Sequence, residues 1–97
     1  MKESYIETRA GQYTKSLGFL FIKMSPLFFK GIPDRVILGP GRLIFFVEFK
    51  TTKSRDSKSH KKRQDFVANL LRDFGFSVYK IDALSEFKRV LKKELLG

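Results

Sequence analysis

Residues 42–50 read Arg-Leu-Ile-Phe-Phe-Val-Glu-Phe-Lys. Successive side chains of an extended chain point to opposite faces, so a run that is apolar at both odd and even positions is apolar on both faces. Such a segment belongs in the centre of a sheet, covered on both sides, and not at an edge. It also carries an anomaly. Glu48 stands inside it, and an unpaired carboxylate in an apolar strand is costly.

The neighbouring segments organise around this strand. Residues 34–38 form a second apolar strand, and Gly39-Pro40-Gly41 closes the two into a hairpin. Residues 19–23 read as a short strand, and 25–33 as a loop in which Leu27-Phe28-Phe29 must pack or cover something. Ile6, Ala10, Tyr13 and Leu17 mark one face of a helix over 4–17, with Ser4 as N-cap and Glu7 completing a capping box. Phe66, Val67, Leu70, Leu71 and Phe74 mark a second helix over about 59–74, ended by Gly75. Phe76 to Ile81 reads as a fourth strand, and Phe87, Val90, Leu91 and Leu95 point inward from a last helix over about 85–96. The expected fold is mixed α/β: helix, three strands, helix, strand, helix.

A chain of 97 residues is expected to form one domain over 1–97, and with no cysteine it has neither disulfides nor thiolate metal sites. No apolar run approaches a membrane span, and the start of the chain has no signal-peptide core, so a soluble, intracellular protein is expected. Lys and Arg number 20 against 10 Asp and Glu, for a net charge of +10. A small domain with that balance usually meets a polyanion, and nucleic acid is the natural candidate.

The hairpin supplies chemistry for such a partner. Asp34 starts one strand, and Glu48 and Lys50 lie two apart on the next. Mg²⁺ and Mn²⁺ take carboxylate and carbonyl oxygens, which Asp34, Glu48 and the Phe49 carbonyl could provide. Lys50 shares a strand face with Glu48, where its ammonium could hold a water and offset charge growing on a phosphate. One geometric condition applies. A turn centred on Pro40 sets Asp34 opposite Phe46 and diagonal to Glu48, roughly 7–8 Å away. A slip of one residue would put the two acids on opposite faces. Each residue also has a plainer reading. Asp34 could be a turn residue, Glu48 and Lys50 a same-face surface pair, Glu7 a capping acid, Gln64 a surface residue near the buried side of its helix, and His60 a solvent-facing histidine. Lys53, Arg55, Lys58, Lys61, Lys62 and Arg63 follow the strand and could grip phosphates without reading sequence.

With Pro33-Asp34, Glu48-Phe49-Lys50 and a preceding helix, the chain resembles the PD-(D/E)XK nuclease superfamily. More narrowly, Gly31-Ile-Pro-Asp-Arg35, the Phe46-to-Lys50 strand, Gln64 and the closing strand after Gly75 resemble a VRR-NUC domain, the virus-type replication-repair nuclease. The resemblance spans essentially the whole chain. It implies a restriction-endonuclease-like αβββαβ core with a C-terminal helix, and a Mg²⁺- or Mn²⁺-dependent endonuclease acting on DNA. Asp34, Glu48 and the Phe49 carbonyl would bind the metal, Lys50 would be catalytic, and Gln64 would orient the site. Glu7 would match a helical glutamate that joins the metal directly or through water. Short members of this type resemble homodimeric resolvases of four-way junctions, so branched DNA, a homodimer and a role in DNA repair are implied, and a viral source is left open. Leu27-Phe28-Phe29 is the candidate dimer interface.

Two rivals remain at this stage. One is a non-catalytic RNA-binding module of the RRM type, since Phe46-Val47-x-Phe49 partly matches its aromatic strand motif, although Leu43 stands where that motif wants glycine. The other is a degenerate nuclease fold that only binds DNA.

Overall fold

The computed structural model describes residues 3–50 and 58–97, with Lys58 described in its backbone only. The basic residues Lys53 and Arg55 lie outside the described residues, as does the side chain of Lys58.

The element order is α1 (Glu3–Ser16), β1 (Leu20–Lys23), β2 (Arg35–Gly39), β3 (Leu43–Phe49), α2 (Lys58–Asp73), β4 (Ser77–Ile81) and α3 (Leu84–Leu96). The four strands form one sheet in the order β1-β2-β3-β4. β1, β2 and β3 pair antiparallel, and β4 pairs parallel with β3 after the α2 crossover. The expected mixed α/β fold with its αβββαβ core and C-terminal helix is observed.

β3 is buried along nearly its whole length, as its two-sided apolar pattern requires. Its odd positions, Phe45, Val47 and Phe49, pack with Ile37 and Ile81 under α1 and α3, against Ile6, Ala10, Phe87, Val90 and Leu91. Its even position Phe46 packs with Val36, Val78 and Ala68 beneath α2. Phe46 and Phe49 are therefore both buried. An RRM stacks bases on exposed aromatics of that strand motif, so these buried rings remove the RRM reading.

The hairpin register departs from the Pro40-centred expectation. Val36 pairs with Phe46 and Gly39 with Leu43, so the pairing centres on Gly41. Gly41 and Arg42 both take positive φ, 69° and 63°, and the Leu43 amide bonds back to the Pro40 carbonyl at 3.4 Å. Positive φ at both turn positions matches the right-handed twist of the flanking strands. The shift from the expected register is two residues. An even shift preserves side-chain faces, and it brings Asp34 directly across from Glu48 instead of diagonal to it.

The helices are rotated from the expected stripes at several positions. α1 buries Ile6, Ala10, Gly11 and Thr14, while Leu17 falls beyond its end and is exposed. Gly11 is needed there, because a Cβ would stand 2.9 Å from the Phe21 ring. α1 already includes Glu3, so Ser4 lies within its first turn and is not its N-cap. α2 turns Gln64, Val67 and Ala68 toward the sheet and leaves Phe66 59% and Phe74 66% exposed, with Leu70 beside them. Leu95 of α3 is likewise exposed. Among the described residues no helix is long and apolar enough to cross a membrane.

Candidate active site

The site forms where the β2 start, the β3 end and the sheet-facing side of α2 meet. Asp34 precedes β2, and its carbonyl accepts the Met24 amide hydrogen at 2.9 Å, continuing the β1–β2 ladder. Its side chain turns toward β3, where Oδ2 accepts the Phe49 amide hydrogen at 2.9 Å. This bond crosses the hairpin and fixes the Asp34 carboxylate at the end of β3.

Glu48 is on the α2 side of the sheet and only 4% exposed. Its Oε1 is buried without a hydrogen-bond partner, the one such side-chain atom among the described residues. Burial, and then the charge and hydrogen bond of the adjacent Asp34 carboxyl, push the Glu48 carboxyl from 4.5 up to about 8. The positive charge of Lys50 acts in the opposite direction. Lys50 continues the ladder to β4, its amide donating to the Ile81 carbonyl at 2.9 Å, and strand alternation puts its side chain on the face of Glu48. Gln64, on the inner side of α2, is buried against this same side of the sheet.

These residues fit a hard divalent cation. A buried, unpartnered carboxylate oxygen beside a second carboxylate is poorly satisfied by protein alone, and a cation would neutralise both charges and take the orphaned oxygen as a ligand. The Phe49 carbonyl sits between Glu48 and Lys50 in sequence and adds a third oxygen donor of the right chemistry.

Glu7 is not gathered with the two acids. Its Oε2 accepts a 2.6 Å hydrogen bond from Arg35 Nε in a partly buried ion pair. Arg35 follows Asp34 and therefore points to the opposite face of the sheet, where its guanidinium also lies 4.7 Å from the centre of the Phe21 ring. Among the described residues no three His, Cys, Asp or Glu side chains form a metal-binding group. The physical reason is direct: a guanidinium on the α1 side of the sheet already holds the Glu7 carboxylate.

Arg35 is the residue that sequence reasoning missed. The available signal was a charged side chain at the head of a strand whose same-face neighbour, Ile37, is fully buried, which demands a partner from the covering helix.

Lys61, Lys62 and Arg63 lie exposed in the first turns of α2, immediately before Gln64. Gly31 is pressed against that helix. Its φ is +86°, and a Cβ there would stand 2.8 Å from both the Arg63 carbonyl oxygen and Arg63 Cγ. The glycine of the Gly31-Ile-Pro-Asp segment thus docks the loop before Asp34 onto α2. His60 is exposed at the helix start.

The mixed four-stranded sheet and its three helices form a restriction-endonuclease-like fold. A solved structure titled "VRR_NUC domain" superposes with a TM-score of 0.77, covering 93% of this chain and 94% of that one at 22% sequence identity. The chain has the fold of a VRR-NUC domain. No protein-family model and no curated protein matches it.

Proposed function

We propose that this protein is a metal-dependent DNA endonuclease acting on branched DNA with little base preference. The observation that carries the reading is the buried, unpartnered oxygen of Glu48, a carboxyl adjacent to Asp34 in an otherwise apolar strand. An apolar residue would be the cheaper choice there unless the carboxylate serves a ligand. The VRR-NUC fold supports the same reading.

Asp34, Glu48 and the Phe49 carbonyl would hold Mg²⁺ or Mn²⁺, which when bound polarises the phosphate and lowers the pKa of water. The Asp34–Phe49 bond orients the first carboxylate before any ligand arrives. Lys50 positions the attacking water and offsets charge at the scissile phosphate. Gln64 lines the α2 side and helps orient the site. Glu7 holds Arg35, and through it the start of β2, one step removed from the metal. Lys61, Lys62 and Arg63, with Lys53, Arg55 and Lys58, grip the backbone on either side of the cut.

The protein acts as a homodimer in this proposal. Leu20 and Ile22 of β1 face the α2 side of the sheet, and Leu70 and Phe74 lie on α2; all four are exposed. Exposed apolar side chains on a chain of net charge +10 are suited to an apolar partner and not to a polyanion. A two-fold pair would present two sites to the symmetric strands of a four-way junction.

The test is to incubate labelled four-way junction, flap, blunt duplex and single strand with Mg²⁺, Mn²⁺ or EDTA. Metal-dependent cutting of branched substrates, lost in Lys50→Ala, is expected. No cutting of any substrate, or a Lys50→Ala protein as active as the parent, sinks the nuclease reading. Sedimentation separately tests the dimer.

A further inference from the structure

The loop between β1 and β2 runs directly into Asp34, and its tip is apolar and open. Leu27 and Phe28 are each 91% exposed, and Phe29 is about half exposed. The loop is nevertheless ordered by its own bonds. Ser25 Oγ accepts the Leu27 amide hydrogen and the Ser25 carbonyl that of Phe28, both at 3.3 Å. The Ile32 amide bonds to the Phe29 carbonyl at 3.3 Å, and Gly31 is seated against Arg63.

Between this loop and the first turns of α2 lies a cleft of about 620 Å³, lined by Pro26, Leu27 and Lys30 on one side and Ser59, His60 and Arg63 on the other. A second hollow of about 460 Å³, bounded by Ser59, Lys62, Arg63 and the exposed Phe66, adjoins it through shared residues. Cations thus alternate with apolar and aromatic surface. Single-stranded nucleic acid asks for this pairing, with ammonium and guanidinium groups for its phosphates and ring faces for its bases. A duplex hides its base faces and cannot use the rings without being opened.

A second copy of the chain, the occupant expected from the sequence at Leu27-Phe28-Phe29, suits this patch poorly. Facing copies would bring Lys30, Lys62 and Arg63 toward their own counterparts, and like-charge juxtaposition at an interface is unfavourable.

We propose that the cleft between the β1–β2 loop and α2 is a single-strand subsite. Lys30, Lys62 and Arg63 hold the phosphates of an unpaired stretch, and Phe28, exposed at the tip of the loop that forms one wall of the cleft, stacks on a base. The assignment rests on the nuclease reading for its choice of DNA and adds to it the means of recognising an unpaired arm.

The experiment is metal-free binding in EDTA, so that cleavage plays no part. The probes are a duplex with a single-stranded tail carrying 2-aminopurine near the junction, and the same duplex blunt-ended. The full-length protein should quench the tail fluorophore. Phe28→Ala should bind tailed DNA roughly tenfold more weakly, lose the quench and bind blunt duplex as before, while Phe28→Trp retains both properties. Lys30→Ala should flatten the salt dependence of tailed-DNA binding. Phe28 is open to solvent, so its replacement leaves the core intact, and a melting curve verifies this. The proposal is overturned if Phe28→Ala binds tailed DNA like the parent, weakens both DNAs equally, or converts a dimer to a monomer in sedimentation. A parent protein that quenches the tail but cuts nothing with metal would remove the nuclease reading and leave the subsite standing. Branched-DNA cleavage unaffected by Phe28→Ala and without tail binding would do the reverse.

Discussion

Asp34 reaches across the hairpin to Phe49, its Oδ2 accepting the Phe49 amide hydrogen at 2.9 Å. One oxygen of the first acid is thereby tied to the backbone just after the second acid, Glu48. The bond separates two roles of Asp34. Asp34→Asn retains an acceptor for the amide but loses the charge, whereas Asp34→Ala loses both. Both variants should lose cleavage. Asp34→Asn should melt close to the parent, and Asp34→Ala should be about 1–2 kcal/mol less stable. Thermal melts beside a junction-cleavage assay check this.

Glu48 makes metal-free stability depend on pH. Its pKa is raised from 4.5 to about 8, chiefly by burial and then by Asp34. Below 4.5 both folded and unfolded chains carry the proton, and its contribution to stability is fully present. Between 4.5 and 8 the unfolded chain ionises while the folded chain resists, so stability falls as pH rises. Melting in EDTA from pH 5 to 8 should show this decline, and Glu48→Gln should flatten it. Mg²⁺ or Mn²⁺ should raise the melting temperature most at the alkaline end, because a cation favours the ionised carboxylate.

The Glu7–Arg35 ion pair should support structure more than chemistry. Glu7→Gln removes the charge from a partly buried 2.6 Å contact and should cost about 1 kcal/mol of stability, with cleavage reduced less than tenfold. A loss as complete as that of Lys50→Ala would mean that Glu7 leaves Arg35 and enters the metal site during turnover. Comparing the rates of the two variants under saturating metal decides between these roles.

Gly31 couples the Asp34 segment to α2. Gly31→Ala combines a φ of +86° with a Cβ 2.8 Å from the Arg63 carbonyl, so the loop must move away from the helix. The variant should be about 1–3 kcal/mol less stable. It should also cut more slowly than Lys61→Ala, which removes one exposed phosphate contact. Denaturant titration and cleavage rates measure the two effects.

The central strand was readable because its apolar residues fall on both faces, and the same reading made Glu48 conspicuous. The hairpin register was harder. Gly39-Pro40-Gly41 suggests a turn around Pro40, but Gly41 and Arg42 carry the positive φ values, and nothing about an arginine announces that conformation. The face of Asp34 survived the error only because the shift was even. α2 misled for another reason. Phe66, Leu70 and Phe74 recur at helical spacing, as do Gln64, Ala68 and Leu71, so periodicity alone cannot tell which stripe meets the sheet. A buried glutamine and alanine won over two phenylalanines because α2 packs on β4 with that side inward, leaving the aromatic stripe exposed. The Glu7 capping reading failed because Arg35, 28 residues away in sequence, holds the carboxylate. Such long-range partners have no local signature.

Calorimetric titration of the metal-free protein with Mn²⁺ tests most directly whether Asp34 and Glu48 form a divalent-cation centre. Saturable binding is predicted for the parent and for Lys50→Ala, with binding lost in Glu48→Gln and Asp34→Asn. Absence of saturable binding in the parent, or undiminished binding in a folded Glu48→Gln protein, would contradict it.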